Sequence, residues 1–314
     1  MEASDASVSE LRSHSRFPYS AIDGRMNHWE FPGGARLAVY FAVNLEHFAF
    51  GEGRGAKLAP YSAEPDVLNY SWREWGNRVG VWRLLRVLDT FDLPTACVVN
   101  SAICSHCPEV IEAFRCREAE NEFVCHGRTN SEWQANMTES EERQMISESV
   151  KVVSQACGTK PTGWLGPWIS ETRRTPELLK QVGLQYVLDW CHDDQPCWLH
   201  TQHGKLVSMP YQQEINDIPS IMARLSSGKQ FADDIVDAFD EMLEQALHFR
   251  QSLVLGIALH PYIVGQPHRL RHLRRALQHI HERAKTLNQD KYKKIWLTTP
   301  GEIARTGMLM KTVV

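Results

Sequence analysis

Three apolar segments of this 314-residue chain each end at an ionisable residue. Residues 37–45 are followed by Glu46, residues 123–125 by His126 and residues 253–259 by His260. Loops at the C-terminal ends of parallel strands form the active sites of α/β folds, so this recurrence predicts one shared pocket. A carboxylate there could accept a proton from water or bind a metal, and His260 suits a general acid because imidazole exchanges a proton near neutral pH.

Other polar and aromatic residues lie close to predicted strand ends. Asn44 and Glu46 are two residues apart, so their side chains point to the same face of a strand. Gly127 lets a backbone or a ligand approach His126 closely. The candidates for substrate contacts are Asn44, Asn130, Trp133, Trp168, Asp193, Asp194 and Glu214. Asn130 can both donate and accept hydrogen bonds to an amide-like ligand, whereas Trp168 could equally be a core residue.

Apolar periodicity predicts strands that alternate with helices along the chain. The predicted strands are 37–45, 93–99, 123–125, 161–165, 184–188, 253–259 and 294–297, and the predicted helices are 78–91, 107–117, 138–156, 175–182, 231–249 and 270–287. This alternation favours a single parallel α/β domain of barrel type, residues 31–314, after a weakly ordered arm, residues 1–30. A doubly wound sheet is the alternative, but no Gly-x-Gly-x-x-Gly follows the first strand. Long loops at 47–76 and 189–219 are expected to shape specificity.

Composition narrows the class of partner. Lys and Arg total 34 against 38 Asp and Glu, a net charge of −4, so no basic footprint indicates nucleic acid and we expect a small-molecule substrate. No leader-like segment and no apolar stretch of membrane-spanning length occurs, which predicts a cytoplasmic protein. The eight cysteines lack disulfide-framework spacing, and the Cys104–Cys107 pair is better explained by half-buried thiols than by structural zinc. Trp72, Trp75 and Trp133 could line a pocket or a homo-oligomer contact, and a homo-oligomer is expected.

Several segments together resemble the polysaccharide deacetylase (NodB-homology) superfamily, and within it the allantoinase-like branch that hydrolyses cyclic amides. They are residues 77–85, His126-Gly127, residues 161–164, 239–243, 260–267 and 299–303, within a likeness covering about 30–305. The resemblance implies a distorted (β/α) barrel, similar to a TIM barrel, with about seven parallel strands.

The resemblance also implies roles for individual positions. The family's base position falls on Asn44 and its catalytic acid on His260, while its metal-ligand positions fall on Glu46, His126 and Asn130. Asn44 cannot take a proton, Asn130 is a poor zinc ligand, and the arginine that pairs with the base is replaced by Leu165. These departures argue against ordinary sugar deacetylation, and the allantoinase-like branch also carries Asn-x-Glu on its first strand.

The leading hypothesis is a hydrolase of non-peptide carbon–nitrogen bonds, acting on a small cyclic amide, imide or ureide. Water would attack a ring carbonyl with Glu46 or His126 as the base, and His260 would protonate the departing nitrogen. Such chemistry need not use a metal. The alternatives are an N-deacetylase that binds zinc or another divalent metal, and an inactive barrel that only binds a small molecule.

Overall fold

The computed structural model describes residues 14–25, 30–289 and 294–310, without the side chains of 307–310. Parts of the predicted arm, residues 1–13 and 26–29, and the last four residues of the predicted domain, 311–314, lie outside the described residues. Nine strands in the described part form one sheet. They are β1 (Leu37–Leu45), β2 (Thr95–Val99), β3 (Asn121–Cys125), β4 (Gly163–Trp164), β5 (Tyr186–Val187), β6 (Cys197–Thr201), β7 (Gly204–Ser208), β8 (Leu253–Leu259) and β9 (Ile295–Leu297).

The strand order across the sheet is β6-β7-β5-β4-β3-β2-β1-β8, with β9 paired to β1. All neighbouring pairs are parallel except β6 and β7, which form an antiparallel hairpin. The sheet is curled, and helices follow most of its strands. The predicted distorted (β/α) barrel is therefore confirmed.

Helices join and cover the strands. They are α1 (Val67–Trp75), α2 (Val81–Thr90), α3 (Ile103–His106), α4 (Pro108–Arg115), α5 (Glu139–Cys157), α6 (Thr175–Gln181), α7 (Gly228–His248), α8 (Pro261–Val264), α9 (Pro267–Leu287) and α10 (Pro300–Met310). Both segments predicted as long loops are partly regular: 47–76 contains α1, and 189–219 contains the β6–β7 hairpin. None of the helices in the described ranges is long and apolar enough to cross a membrane.

Side chains of the central strands alternate between two apolar layers. On β1, Leu37, Val39, Phe41, Val43 and Leu45 join the larger core cluster, whereas Ala38, Tyr40 and Ala42 join a smaller one. Ala258 on β8 and Val124 on β3 also belong to the smaller cluster, which fills the concave side of the sheet. Because strand side chains repeat with period two, residues 44, 46, 126 and 260 continue this concave face. The three strand ends therefore point into one space.

The segment after β7 closes the gap beside β8. Asn216 forms an isolated parallel bridge with Ala258, and the Ala258 N–H donates to the Ile215 carbonyl at 3.1 Å. This irregular pairing replaces a further regular strand, which is why the barrel is distorted. It also brings the residue after Asn216 beside the end of β8.

The described part of the N-terminal arm is held against the domain by ion pairs. Arg16 Nη1 lies 2.6 Å from Glu177 Oε1, and Arg25 Nη2 lies 2.5 Å from Asp193 Oδ2. The Arg25 pair is nearly buried on both sides, so it fixes the arm more firmly than an exposed ion pair would.

At the opposite end of the sheet from the predicted pocket, Glu122 on β3 joins three elements. Its carboxylate accepts hydrogen bonds from the Tyr186 hydroxyl at 2.8 Å, the Gly301 N–H at 2.7 Å and the Thr162 hydroxyl at 3.2 Å. We expect Glu122→Ala to lower the free energy of unfolding by about 1–3 kcal/mol, because it leaves these donors unpaired. Urea unfolding measures the change.

Glu118→Ala is the matched control, because Glu118 is an exposed carboxylate four residues away. Its effect should stay within about 0.5 kcal/mol. Equal stability of the two variants would contradict the assigned role of Glu122.

Candidate active site

Glu46 lies at the centre of the strand ends and is buried, with 5% of its surface exposed. Its Oε1 accepts a hydrogen bond from the Asn130 side-chain amide at 2.5 Å, and its Oε2 accepts one from the Tyr262 hydroxyl at 2.8 Å. Oε1 also lies 3.4 Å from His260 Nε2 and 3.5 Å from His126 Nε2. Burial alone would raise the pKa of Glu46, but the two imidazoles outweigh it and lower that pKa to about 2. Glu46 is therefore a carboxylate at neutral pH.

His126 follows β3, and one nitrogen of its ring is held by the backbone. Nδ1 lies 2.7 Å from the Leu165 carbonyl oxygen, which can only accept, so Nδ1 carries the hydrogen. In the neutral ring the Nε2 lone pair then faces Glu46 and the cavity. Gly127 has φ 64°, and a Cβ there would lie 2.5 Å from Pro167 Cγ, so this position needs glycine to let the next loop pack closely.

His260 follows β8 and is held by Asp217. Its Nδ1 is 2.5 Å from Asp217 Oδ1, and its backbone N–H donates to Oδ2 at 2.7 Å. Burial alone would lower the pKa of His260, but Asp217 and Glu46 outweigh it and raise that pKa to about 10. Burial raises the pKa of Asp217, against the opposing charge of His260. The two donors from His260 favour an ion pair in which the imidazole is protonated.

A chain of hydrogen bonds fixes the orientation of the Asn130 amide. Asn100 Oδ1 accepts from the His47 backbone N–H at 2.8 Å, so the Asn100 amide nitrogen is the atom that faces Asn130. It donates to Asn130 Oδ1 at 2.9 Å and also to the His126 carbonyl. Asn130 must therefore present its N–H group, not its oxygen, to Glu46.

This orientation bears on the metal that the family resemblance implies. Among the three candidate ligands, Glu46 and His126 offer a carboxylate oxygen and an imidazole nitrogen. Asn130 offers a donor N–H, and its oxygen is already used by Asn100. The residues present therefore do not fit a three-ligand zinc centre, which needs three lone-pair donors from the protein.

Asn44, which lies at the family's base position, uses its side chain for hydrogen bonds within the protein. Its Nδ2 donates to the Tyr211 hydroxyl at 3.1 Å and more weakly to the Leu259 carbonyl at 3.4 Å. An amide has no basic nitrogen, so Asn44 can position Tyr211 or a ligand but cannot accept a proton.

The loop after β4 forms one wall in a strained backbone conformation. Trp168 and Ile169 have φ 62° and 53°, consecutive left-handed conformations that are unusual for any side chain and most unusual for β-branched isoleucine. The Trp168 indole N–H donates to the Asn130 carbonyl at 2.8 Å, and the Ile169 N–H donates to the Gly166 carbonyl at 2.8 Å. These bonds hold the wall in place despite a cost of about 1–3 kcal/mol for each such residue.

The strand ends enclose a cavity of about 130 Å³. It is lined by Asn44, Glu46, His126, Asn130, Leu165, Trp168, Ile169, Tyr211, Gln213, Asn216, Ile218, Pro219, His260 and Tyr262. The three predicted catalytic residues and the predicted contacts Asn44, Asn130 and Trp168 thus share one cavity. The His126 imidazole, the protonated His260 imidazole and a carboxylate in contact with both can accept a proton at one point and deliver one at another.

Four predicted substrate contacts do not line this cavity. Trp133 stacks against the Arg54 guanidinium, 3.4 Å from the ring centroid, and Asp193 pairs with Arg25. Asp194 accepts a hydrogen bond from Gln212, and the exposed Glu214 pairs with Arg224. The two aspartates and Glu214 line a neighbouring depression that shares Tyr211 and Gln213 with the cavity.

Several polar residues that contact the site directly or through one neighbour were not among the predicted site residues, including Asn100, Tyr211, Asn216, Asp217 and Tyr262. Asn100 directly follows β2, so the same strand-end rule would have found it. Tyr262 lies two residues after His260 in a segment already singled out. No local sequence pattern identifies Asp217 as a site residue, because its position depends on the irregular pairing of Asn216 with β8.

Comparisons with known proteins agree with this architecture. Residues 74–187 match the family described as Polysaccharide deacetylase. A Schizosaccharomyces pombe protein named “Putative polysaccharide deacetylase” is 27% identical over 308 residues, covering 89% of this chain and 92% of that protein.

Two solved structures are similar over nearly the whole chain. A “probable Polysaccharide deacetylase” from Pseudomonas aeruginosa PAO1 has a TM-score of 0.78 and 26% identity, covering 95% of this chain and 100% of that one. The PuuE allantoinase has a TM-score of 0.77 and 26% identity, covering 96% and 100%. The predicted resemblance to the polysaccharide deacetylase (NodB-homology) superfamily, with an allantoinase among the similar structures, is thus confirmed.

Proposed function

We propose that this protein is a hydrolase that opens a small cyclic amide, imide or ureide by adding water to a ring carbonyl. The observation that carries the proposal is the Glu46 carboxylate held between two imidazoles, with the Asn130 N–H where a metal ligand would be needed. Similarity to PuuE allantoinase and to deacetylases supports hydrolysis of a carbon–nitrogen bond in general.

His126 is the group that activates water in this scheme. In its neutral form His126 presents the Nε2 lone pair to the cavity, because Nδ1 is bonded to the Leu165 carbonyl, whereas both oxygens of Glu46 already accept hydrogen bonds. His126 takes a proton as the water oxygen bonds to the carbonyl carbon. Glu46 stabilises the imidazolium that forms.

His260 completes the reaction as the general acid. Asp217 and Glu46 keep it protonated, so its Nε2 can deliver a proton to the ring nitrogen as the carbon–nitrogen bond breaks. The products are an open-chain carboxylate and an amide or amine nitrogen, and the net change is addition of one water. The negative charge that develops on the attacked oxygen needs a hydrogen-bond donor. Asn216 lines the cavity, and its Oδ1 accepts from the Ile218 N–H. The side-chain N–H group of Asn216 is therefore left to donate to a substrate.

The cavity supports a compact substrate. Its volume of about 130 Å³ accommodates one small ring, and Trp168, Tyr211 and Pro219 form part of its wall. The aromatic and amide residues suit a planar ring that carries several N–H and C=O groups.

The second candidate function is a metal-dependent N-deacetylase of an acetylated amine or sugar. The deacetylase match at residues 74–187 and the similarity to the Pseudomonas protein support it equally well at the level of family. A metal-dependent site would require the Asn130 side-chain oxygen to leave Asn100 and face the metal.

Removing the central charge tests the proposed chemistry. We expect Glu46→Gln and His126→Gln each to lower kcat/KM for ring opening by roughly 10²–10⁴-fold, because the first removes the charge that stabilises the imidazolium and the second removes the proton acceptor. Hydantoins, cyclic imides and ureides are the substrates to screen, and ring opening is followed by loss of absorbance.

Glu52→Gln is the matched control, because Glu52 is an exposed carboxylate outside the cavity, and its kcat/KM should be unchanged. If turnover persists at the wild-type rate in the two site variants, the assignment of the site is wrong. If no compound in the screen is turned over, the inactive binding barrel becomes the better reading.

The pH profile tests the role of His260. Its acid form is present below its pKa of about 10 and is lost as the pH rises through that value, so kcat/KM should fall on the alkaline side near pH 10. Asp217→Asn removes a negative neighbour and should lower the pKa of His260. We therefore expect the alkaline limb to move to lower pH in this variant.

Both proteins are measured with one substrate that does not itself ionise over the pH range tested. Coincident alkaline limbs for wild type and Asp217→Asn would rule out His260 as the acid held by Asp217.

Chelation separates the two candidate functions. Ring opening should survive exhaustive chelation, because the proposed proton transfers use only side chains. Release of acetate from acetylated amines that disappears on chelation and returns with zinc would instead establish the deacetylase.

A further inference from the structure

A second group of metal-binding residue types converges outside the cavity. His47 follows β1, Glu74 lies on α1 and His106 ends α3. One ligand atom from each of these three residues lies within 4.8 Å of the others. Three separate elements therefore bring two imidazoles and one carboxylate to a single point.

The contacts within this His47–Glu74–His106 cluster leave one polar atom without a partner. His106 Nε2 lies 2.8 Å from Glu74 Oε2, and the ring centroids of His47 and His106 are 4.5 Å apart. His47 Nδ1 is buried and has no hydrogen-bond partner among the described residues. Leaving a buried polar nitrogen unpaired is costly, so a ligand at this point would relieve the cost.

We propose that the His47–Glu74–His106 cluster is a binding site for a zinc-class divalent metal ion. Two imidazoles and a carboxylate are a ligand set that zinc accepts, with a water completing the coordination. The side chains of His106 and Glu74 are 36% and 16% exposed, so an ion can enter from solvent.

Neighbouring cysteines do not belong to this site. Burial raises the pKa of Cys104 to about 11 and of Cys107 to about 12, so both are thiols at neutral pH. Neither sulfur is among the converging ligand atoms. The Cys104–Cys107 pair is therefore consistent with the half-buried thiols expected from its spacing.

The other cluster of potential ligands is less suitable. His192, Asp193 and Cys197 also converge, but Asp193 is already paired with Arg25, and burial raises the pKa of Cys197 to about 12. A metal there would have to displace a buried ion pair and a proton from a thiol.

The proposed ion would lie next to the catalytic strand end. His47 directly follows Glu46, and its backbone N–H donates to Asn100, which orients the Asn130 amide towards Glu46. Metal bound at His47 would therefore restrain the start of this hydrogen-bond chain. Such an ion would restrain this chain without taking part in the proton transfers, so ring opening continues when the metal is removed.

The test is zinc binding to the metal-free, full-length protein without a polyhistidine tag. Isothermal titration should give one equivalent of zinc. His106→Gln and Glu74→Gln should each weaken that binding by at least about 10-fold, since even partners outside the ligand shell contribute that much to metal sites. Zinc should also raise the Tm of the wild type and raise it less in these variants.

His126→Gln is the matched control, because it removes an imidazole from the cavity and leaves the cluster intact. It should retain one equivalent of zinc with unchanged affinity. Cobalt is a second probe, whose visible absorption should appear in His126→Gln and be lost in His106→Gln. Because the side chains of His106 and Glu74 are both partly exposed, their variants should keep the far-ultraviolet circular dichroism of the wild type.

Two results would overturn the proposal. One is the absence of a stoichiometric zinc site in the wild type. The other is zinc binding that persists in His106→Gln and Glu74→Gln but is lost in His126→Gln, which would assign the metal to the cavity and favour the deacetylase. If the wild type opens none of the tested rings but binds zinc at the cluster as expected, only the proposed function is contradicted and the metal site stands.

Discussion

The Glu46 carboxylate is a negative charge with almost no access to water, and its compensation constrains the surrounding fold. An uncompensated ion in such a position would cost several kcal/mol, so it must be matched by donors and opposite charge. Asn130, Tyr262 and two imidazoles provide that match. These groups come from β1, β3 and β8 or from the loops after them, so the ends of the three strands must meet.

The curl of the sheet makes this meeting possible. In a flat sheet β3 and β8 would be about 14 Å apart, because three strand spacings separate them in the order β3-β2-β1-β8. Instead, both imidazoles reach one carboxylate oxygen within 3.5 Å. The irregular closure at Asn216 and Ala258 then brings Asp217 to His260, so the same distortion that shapes the barrel also holds the proposed acid.

The parts of the fold that the sequence predicts are those with strong local patterns. β1 and β8 have the predicted bounds because both are continuous apolar segments buried on two faces. The β6–β7 hairpin was not predicted, because its partly exposed strands lack such a pattern. At the site, a strand-end rule is enough to find Glu46, His126 and His260. It cannot find Asp217, whose contact with His260 spans 43 residues, nor exclude Asp193, whose partner Arg25 lies in the arm.

The backbone at Trp168 and Ile169 has a consequence for the evolution and engineering of this chain. Two adjacent side chains in left-handed conformations cost stability, and the surrounding hydrogen bonds and apolar packing keep them there. Glycine at either position would release that strain, but it would also remove a side chain that packs against the core, a loss that costs at least as much. Relaxing the backbone here therefore gives no net stability, so packing against the core and the shape of the cavity constrain the sequence of this loop together.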